Sequence, residues 1–222
     1  MYHFSYFKEP DQARILAFLE EHPFAFLTGA FASGSPVATQ IPLLYEVREG
    51  ELYVQGHLMR HTDHHKAFQE NPEALAVFNG PHAYVSASWY SQPHIGSTWN
   101  YMSVHVRGTM RFMSPEELVE LMRKLTLKFE GGNATSPTVY ENLPESFLSK
   151  MMPAIVGFEI RAESVDNVFK LSQNRDEQSY RNIMGQLEQA GGQAEDVARE
   201  MRKRVDELFP PSQAWDSRRF DS

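Results

Sequence analysis

The chain predicts an α+β fold: six or seven antiparallel strands closed into a barrel, flanking helices, and a C-terminal helical hairpin. Three observations carry this. Short apolar runs rich in β-branched and aromatic residues alternate with Gly- and Pro-bearing turns over residues 1–172. Amphipathic helical periodicity breaks in between them at only a few places. From Asp176 onward the pattern is helical alone, interrupted at Gly191-Gly192, so residues 173–222 form a helical extension. A barrel closes that many strands without leaving exposed edges.

The elements follow in order. Residues 1–10 are aromatic (Tyr2, His3, Phe4, Tyr6, Phe7) and suit an edge of the core. Asp11 caps a helix running to Glu21, with Ile15, Leu16, Phe18 and Leu19 on its apolar face and His22-Pro23 ending it. Phe24–Thr28 is a strand, residues 31–36 a turn, and Val37–Tyr45 a second strand, where Pro42 calls for an edge or a bulge. Glu51–Gln55 completes a hairpin. Leu75–Asn79 and Ala83–Ala87 read as two strands joined by Gly80-Pro81, and Asn100–Phe112 as a long one. Ser114 and Glu117 form a capping box with Pro115 at the first helical position, before a face of Leu118, Leu121, Met122 and Leu125. Residues 131–143 read as a loop, 152–161 as a strand continued by 164–172, and 176–208 as two helices. The second carries Val197, Met201, Val205 and Leu208 on one stripe, and the tail past Pro210-Pro211 is expected to be loosely held.

Composition narrows the function. Hydrophobic content of 41% and aromatic content of 12% describe a globular core. A net charge of −8 argues against a chain built mainly to grip nucleic-acid backbones. The densest basic run, Arg199–Arg204, is interrupted by Glu200 and followed by Asp206 and Glu207, which is the pattern of a solvated helix face. Without cysteine there are no disulfides, thiolate nucleophiles or Cys-bound metals. Lys8, Glu9, Asp11 and Arg14 interrupt any leader-like run, and no apolar stretch nears the roughly 18 residues of a membrane span. The cytoplasm is the expected location.

Gly56–Pro72 is the chemically dense stretch. It gathers His57, Arg60, His61, His64 and His65 where a strand passes into a helix. Cationic side chains there, joined by the helix N-terminus, make an anion site and point to a phosphate grip. Arg60 can hold a phosphate bidentately. Thr62 offers its hydroxyl to the phosphate or to the helix as N-cap. His57 and His64 stand near enough to assist, a dianion raising their pKa. His61 and His65, four apart, have metal-ligand spacing, but no His-Glu-x-x-His pattern or third ligand accompanies them, so no metal site is expected.

Several segments, taken together and in order, resemble the PaiB family, the FMN-binding negative transcriptional regulators with a flavin-reductase-like split barrel. They include Ala38-Thr-Gln-Ile-Pro-Leu-Leu, Gly56-His-Leu-Met-Arg, Gly80-Pro-His-Ala-Tyr-Val-Ser, Thr98-Trp-Asn-Tyr, Val104-His-Val-Arg-Gly and Lys170-Leu-Ser-Gln-Asn. The resemblance implies an antiparallel split β-barrel of the FMN-binding type over residues 1–172, and a homodimer with FMN at or near the subunit interface. Two positions depart from the family pattern. Gln40 stands where a histidine is usual, and His61-Thr62-Asp63 where Ala-Asn-Pro is usual. Asp63 opposes a nearby phosphate unless it points away or caps the helix.

A flavin also needs a flat apolar slot with donors along its edge. Trp99 can supply a wall, Asn100 an amide for the pyrimidine edge, and Tyr101 a ribityl or ring contact. Lys170, Ser172 and Gln173 can close the slot, and Thr39 with Pro42 can line it. Each has an ordinary counterpart: core aromatics, a plain helix entry, or an exposed strand face. No Gly-x-Gly-x-x-Gly, catalytic triad or helix-turn-helix is present. The expected function is therefore an FMN-binding protein of the PaiB type, with direct DNA contact doubtful. The alternatives are a small flavin-dependent oxidoreductase or haem-degrading enzyme on the same fold, or a barrel that has lost its cofactor.

Overall fold

A computed structural model describes residues 1–2, 4–211 and 215–220. His3, and residues 212–214 and 221–222 of the tail expected to be loose, therefore lie outside the described residues. Seven strands form one sheet: β1 (Phe24–Ala30), β2 (Pro36–Pro42), β3 (Leu44–Arg48), β4 (Glu51–Met59), β5 (Glu73–Val85), β6 (Thr98–Phe112) and β7 (Ile155–Lys170), in the order β2-β1-β5-β6-β7-β4-β3. The helices are α1 (Gln12–Glu21), α2 (Asp63–Glu70), α3 (Pro115–Phe129), α4 (Glu145–Met151), α5 (Glu177–Ala190), α6 (Gln193–Arg202) and α7 (Val205–Leu208). The class is α+β, as the pattern of elements requires.

Four boundaries differ from the sequence reading. The expected second strand is two, because the chain changes partner at Leu43. Through Pro42 it pairs with β1 (Pro42↔Phe24), and from Leu44 it pairs with β4 (Leu44↔Gln55). β2 is an edge of the sheet order, the place a strand tolerates Pro42. β4 runs four residues past Gln55 and so carries His57. β5 continues straight through Gly80-Pro81, because Gly80 serves close packing: a Cβ there would come within 2.6 Å of the Phe18 ring. The last helix breaks after Arg202, where buried Arg204 turns back to bond the Glu200 carbonyl and Glu9.

The chain divides into two compact units. One comprises Leu19–Phe78 and His105–Val165. In it α3 buries Leu118, Leu121, Met122 and Leu125 against Leu44 and Ile155, each side chain contributing about 1.5–3 kcal/mol on burial. Its capping box is present as expected, Ser114 and Glu117 bonding each other's backbone N–H. Arg111 ties that box to the sheet. It donates to Glu117 at 2.8 and 3.0 Å and to Glu159 on β7 at 2.9 and 3.2 Å. Glu159, only 4% exposed, also accepts from Gln55 at 2.7 Å and from Arg48.

The other unit comprises Met1–Phe18, Asn79–Val104 and Asp166–Ser222. Here α5 and α6 form the expected hairpin across Gly191 and Gly192, both at positive φ. Tyr180, Ile183, Leu187, Val197 and Met201 are its buried side, and the Tyr180 hydroxyl donates to the Met201 carbonyl at 2.8 Å. Asp176 is the N-cap of α5. In the N-terminal segment Phe7 is buried among the Tyr2, Phe4 and Tyr6 rings.

Burial pushes the Glu159 carboxyl up, but Gln55, Arg48 and Arg111 outweigh it and hold the pKa below its ordinary 4.5. Arg111 and the Ser114 N–H bring Glu117 to about 2. Carboxylates held low stabilise the fold above their unfolded pKa, and that stability is lost as pH falls through the folded one. Glu159→Gln is expected to cost about 2–3 kcal/mol in urea unfolding at pH 7, somewhat less than for a fully buried pair because both arginines reach solvent. The gap between wild type and variant should narrow below pH 4.5.

Candidate functional site

The expected site residues fall into two groups. Thr39, His57, Arg60, Thr62 and His64 lie in the unit built around α3. Trp99, Asn100, Tyr101, Lys170 and Gln173 lie in the unit that holds α5 and α6.

In the first group β4 ends at Met59 and a three-residue turn leads into α2. Arg60 is fixed at its base and free at its tip. Its N–H donates to the Ala154 carbonyl at 2.9 Å and its Nε to the Ile155 carbonyl at 2.9 Å. Its two Nη groups make no hydrogen bond among the described residues. His61 adopts φ +67°, the left-handed region that histidine tolerates better than most side chains. Thr62 is the N-cap, its hydroxyl donating to the Met59 carbonyl at 2.8 Å and accepting from the His65 N–H at 3.4 Å. Of the two roles open to it, the structure shows the cap.

Asp63 occupies the first turn of α2, where a carboxylate favours the helix dipole. Its Oδ1 accepts from the His64 N–H at 2.7 Å and lies 2.9 Å from His64 Nδ1. The backbone bond from His64 comes first among the causes that lower its pKa. Asp63 thus spends its charge on its neighbour and its own helix. The same bonds occupy the His64 and His65 N–H groups, so the helix N-terminus offers a phosphate less than its sequence suggests.

His57 sits on β4 opposite Gly157, and its Nδ1 is buried without a hydrogen-bond partner. Burial pushes its pKa below the ordinary value. A buried orphan nitrogen is costly and asks for a ligand. His65, 4% exposed, accepts the His61 N–H on Nδ1 at 3.0 Å and packs its ring 5.2 Å from Phe112. That bond occupies the nitrogen a metal would use on this side of the ring. Thr39 is half-buried on β2, opposite Leu27. In this group the Arg60 Nη pair and the His57 Nδ1 are polar atoms without a hydrogen-bond partner among the described residues.

In the second group two expected donors are spent internally. Asn100 is fully buried. Its Oδ1 accepts from Ser172 at 3.0 Å and its Nδ2 faces Met201 Sδ at 3.6 Å, so it locks β6 to the turn after β7 and offers nothing to a flavin edge. Gln173 closes its own turn, accepting from the Leu171 N–H at 2.7 Å and donating to the Phe169 carbonyl. Both side chains thus hold the turn after β7. Lys170 is half-buried, its Nζ held by the Thr98 hydroxyl and, at 2.9 Å, by the Trp99 carbonyl. Burial, then Arg175, pushes its pKa down. Tyr101 is partly buried, its phenol pKa raised by burial and by Tyr2.

Trp99 is 53% exposed, and the sequence reading missed its company. His82 lies 6.1 Å and Tyr84 6.0 Å from its ring, both exposed on β5. Alternation in Gly80-Pro-His-Ala-Tyr-Val already puts His82 and Tyr84 on one face. The result is an aromatic wall with an imidazole at its side.

A family model described as "Putative FMN-binding domain" matches residues 1–164. The chain is 34% identical over 188 residues to "Protease synthase and sporulation protein PAI 2" of Bacillus subtilis, covering 85% of this chain and 89% of that protein. Two solved structures share the fold at 17% identity. One is the FAD and heme binding protein of Mycobacterium smegmatis, with TM-score 0.56 over 74% of this chain and 73% of that one. The other is the flavocytochrome Anf3 of Azotobacter vinelandii, with TM-score 0.55 over 76% of this chain and 72% of that one. The chain therefore belongs to the FMN-binding split-barrel family, of the PaiB type.

Proposed function

We propose that this chain works as an FMN-dependent regulatory protein of the PaiB type, a homodimer of the cytoplasm, rather than as a DNA-gripping repressor in its own right. The observation that carries the cofactor reading is the Arg60 turn: a guanidinium pinned at Nε with both Nη groups unspent, near the orphan nitrogen of His57 in sequence. Arg60 and His57 take the phosphate. Thr39 belongs to the same unit as that phosphate contact. Within the other unit, Trp99 with His82 and Tyr84 beside it, together with Tyr101 and Lys170, are the candidates for a ring contact. His64 is turned to Asp63 and assists only indirectly. Residues 1–172 are the cofactor-binding part and 173–222 its helical extension. When bound, FMN supplies redox and light-absorbing chemistry; the protein's part is to hold and shield it.

The dimer reading is supported by β1, which exposes Phe24 (59%) and Phe26 (40%) on one face opposite Pro42 and Gln40 of the edge strand. The regulatory reading rests on the PaiB likeness. Against direct DNA binding stand the net charge of −8 and the pairing of Arg199, Arg202, Lys203 and Arg204 with Asp196, Glu188, Glu200 and Glu9. No helix among the described residues is long and apolar enough to cross a membrane. One observation favours a second reading, a flavin or haem oxidoreductase on the same scaffold: an exposed imidazole beside the Trp99 wall. Reduction of bound flavin by NAD(P)H, or a Soret band lost in His82→Ala, would establish it.

The first test is titration with FMN, followed by flavin fluorescence, and absence of binding overturns the cofactor reading. Arg60→Ala should weaken FMN about tenfold or more, the worth of a charge-assisted bond, and leave riboflavin, which lacks the phosphate, unchanged. Thr62→Ala removes a cap and should lower stability by about 1 kcal/mol in urea unfolding. Asn100→Ala should destabilise by about 2 kcal/mol by stranding Ser172. Loss of FMN from a folded Asn100→Ala protein would restore that residue to the cofactor.

A further inference from the structure

We infer that His65, a residue with no expected contact to the cofactor, is the positioning residue of the phosphate grip, its neutral ring latching the turn that presents Arg60. The inference rests on the phosphate reading above.

The turn has few other holds. Between Met59 and Asp63 the chain must reverse from a strand into a helix, and it does so through His61 at φ +67°. The His61 N–H donates to His65 Nδ1 at 3.0 Å, its one acceptor among the described residues. The same residue's backbone N–H donates to the Thr62 hydroxyl, which in turn donates back to Met59. His65 therefore clamps both residues that follow Arg60, and it is itself held by burial and by the Phe112 ring. Arg60, the residue just before this turn, donates its Nε to the Ile155 carbonyl at 2.9 Å, so the shape of the turn bears on where its Nη groups stand.

The clamp has a required protonation state. Nδ1 accepts only when it carries no proton, so the proton of the neutral ring sits on Nε2. A second proton would place an N–H against the His61 N–H and open the latch. The ring faces Arg60, His61 and His64 along its own turn and helix, and the uncharged Phe112 from β6. Burial first, then those three neighbours, lowers its pKa below the ordinary imidazole value, so the latch is closed at neutral pH and opens only in acid.

Asparagine reproduces the acceptor at the Nδ1 position and cannot titrate, whereas leucine keeps bulk and loses the acceptor. The test measures affinity for FMN and for riboflavin across pH 5.5–8 in wild type, His65→Asn and His65→Leu. The pH dependence of the FMN phosphate itself, with a pKa near ~6, is common to all three and cancels in the comparison. His65→Leu should lose most of the preference for FMN over riboflavin, about tenfold at pH 7.5, while His65→Asn keeps it. At the acid end of that range wild type should lose that preference more steeply than His65→Asn. A latch with no bearing on the phosphate would lower only the melting temperature, and parallel FMN profiles in wild type and His65→Asn would overturn the inference. If His65→Leu does not fold, the comparison of wild type with His65→Asn decides alone. A wild type that shows no preference for FMN, or an Arg60→Ala that keeps it, instead overturns the phosphate reading on which the latch depends.

Discussion

The fold depends on a one-residue corner. β2 and β3 stand at opposite ends of the sheet order, yet only Leu43 separates them in the chain, so the order closes on itself there. Leu43 is 1% exposed, and its N–H donates to the Pro23 carbonyl at 2.8 Å. Its side chain fills the space above Gly56, where any Cβ would come within 2.7 Å of Leu43 Cδ2 and 2.9 Å of Phe158 Cζ. The corner therefore demands glycine at position 56 and fixes how β4 lies on β7, with Gly56 opposite Phe158 and His57 opposite Gly157. Slipping that register by one residue would turn His57 and Met59 to the other face. The corner between β2 and β3 and the register that carries His57 share the Leu43–Gly56 contact.

Downstream of that register, four histidines of one sequence cluster take four different physical roles. His57 is half-buried with its Nδ1 unspent, and His61 lends its backbone to a left-handed turn. His64 pairs with Asp63, and His65 accepts from His61. Composition treats them alike; burial and hydrogen bonding separate them. The Asp63 departure from the family pattern loses its force for the same reason, since its carboxylate is turned to the His64 N–H and ring rather than left to repel a phosphate.

Local features were the legible ones. The Ser114–Glu117 box, the Thr62 cap, the Asp176 cap and the Gly191-Gly192 break all follow from residues within a few positions of each other. The turn that holds Arg60 was legible too, because a strand-to-helix junction is itself a local signal. Asn100 was not: its partners Ser172 and Met201 are 72 and 101 residues away, and nothing near Trp99-Asn100-Tyr101 announces them. Gly80-Pro81 misled for a related reason. The pair has turn chemistry, but the helix residue Phe18 uses the missing Cβ to pack against the strand. Where a residue's role is decided by a distant partner, propensity and alternation point to the commoner local use.

The charge balance explains why Arg60 stands out in an acidic chain. Arg14, Arg48, Arg111, Arg123, Arg161, Arg181, Arg199, Arg202, Arg204 and Arg218 all pair with carboxylates. Among the described residues whose side chains are placed, only Arg60, Arg107 and Arg175 have no such partner, and Arg175 lies over the Tyr90 ring at 4.6 Å. Arg107 is exposed in a groove with Glu73 and Glu163, which dilute its field for any anion. At physiological salt, charges more than about 8 Å apart are largely screened, so a net charge of −8 spread over the surface does little to oppose a phosphate held in direct contact. What matters at contact distance is whether a guanidinium is already spent. By that criterion Arg60 is an unspent guanidinium at a strand end, and the proposed phosphate contact rests on that rather than on the overall charge.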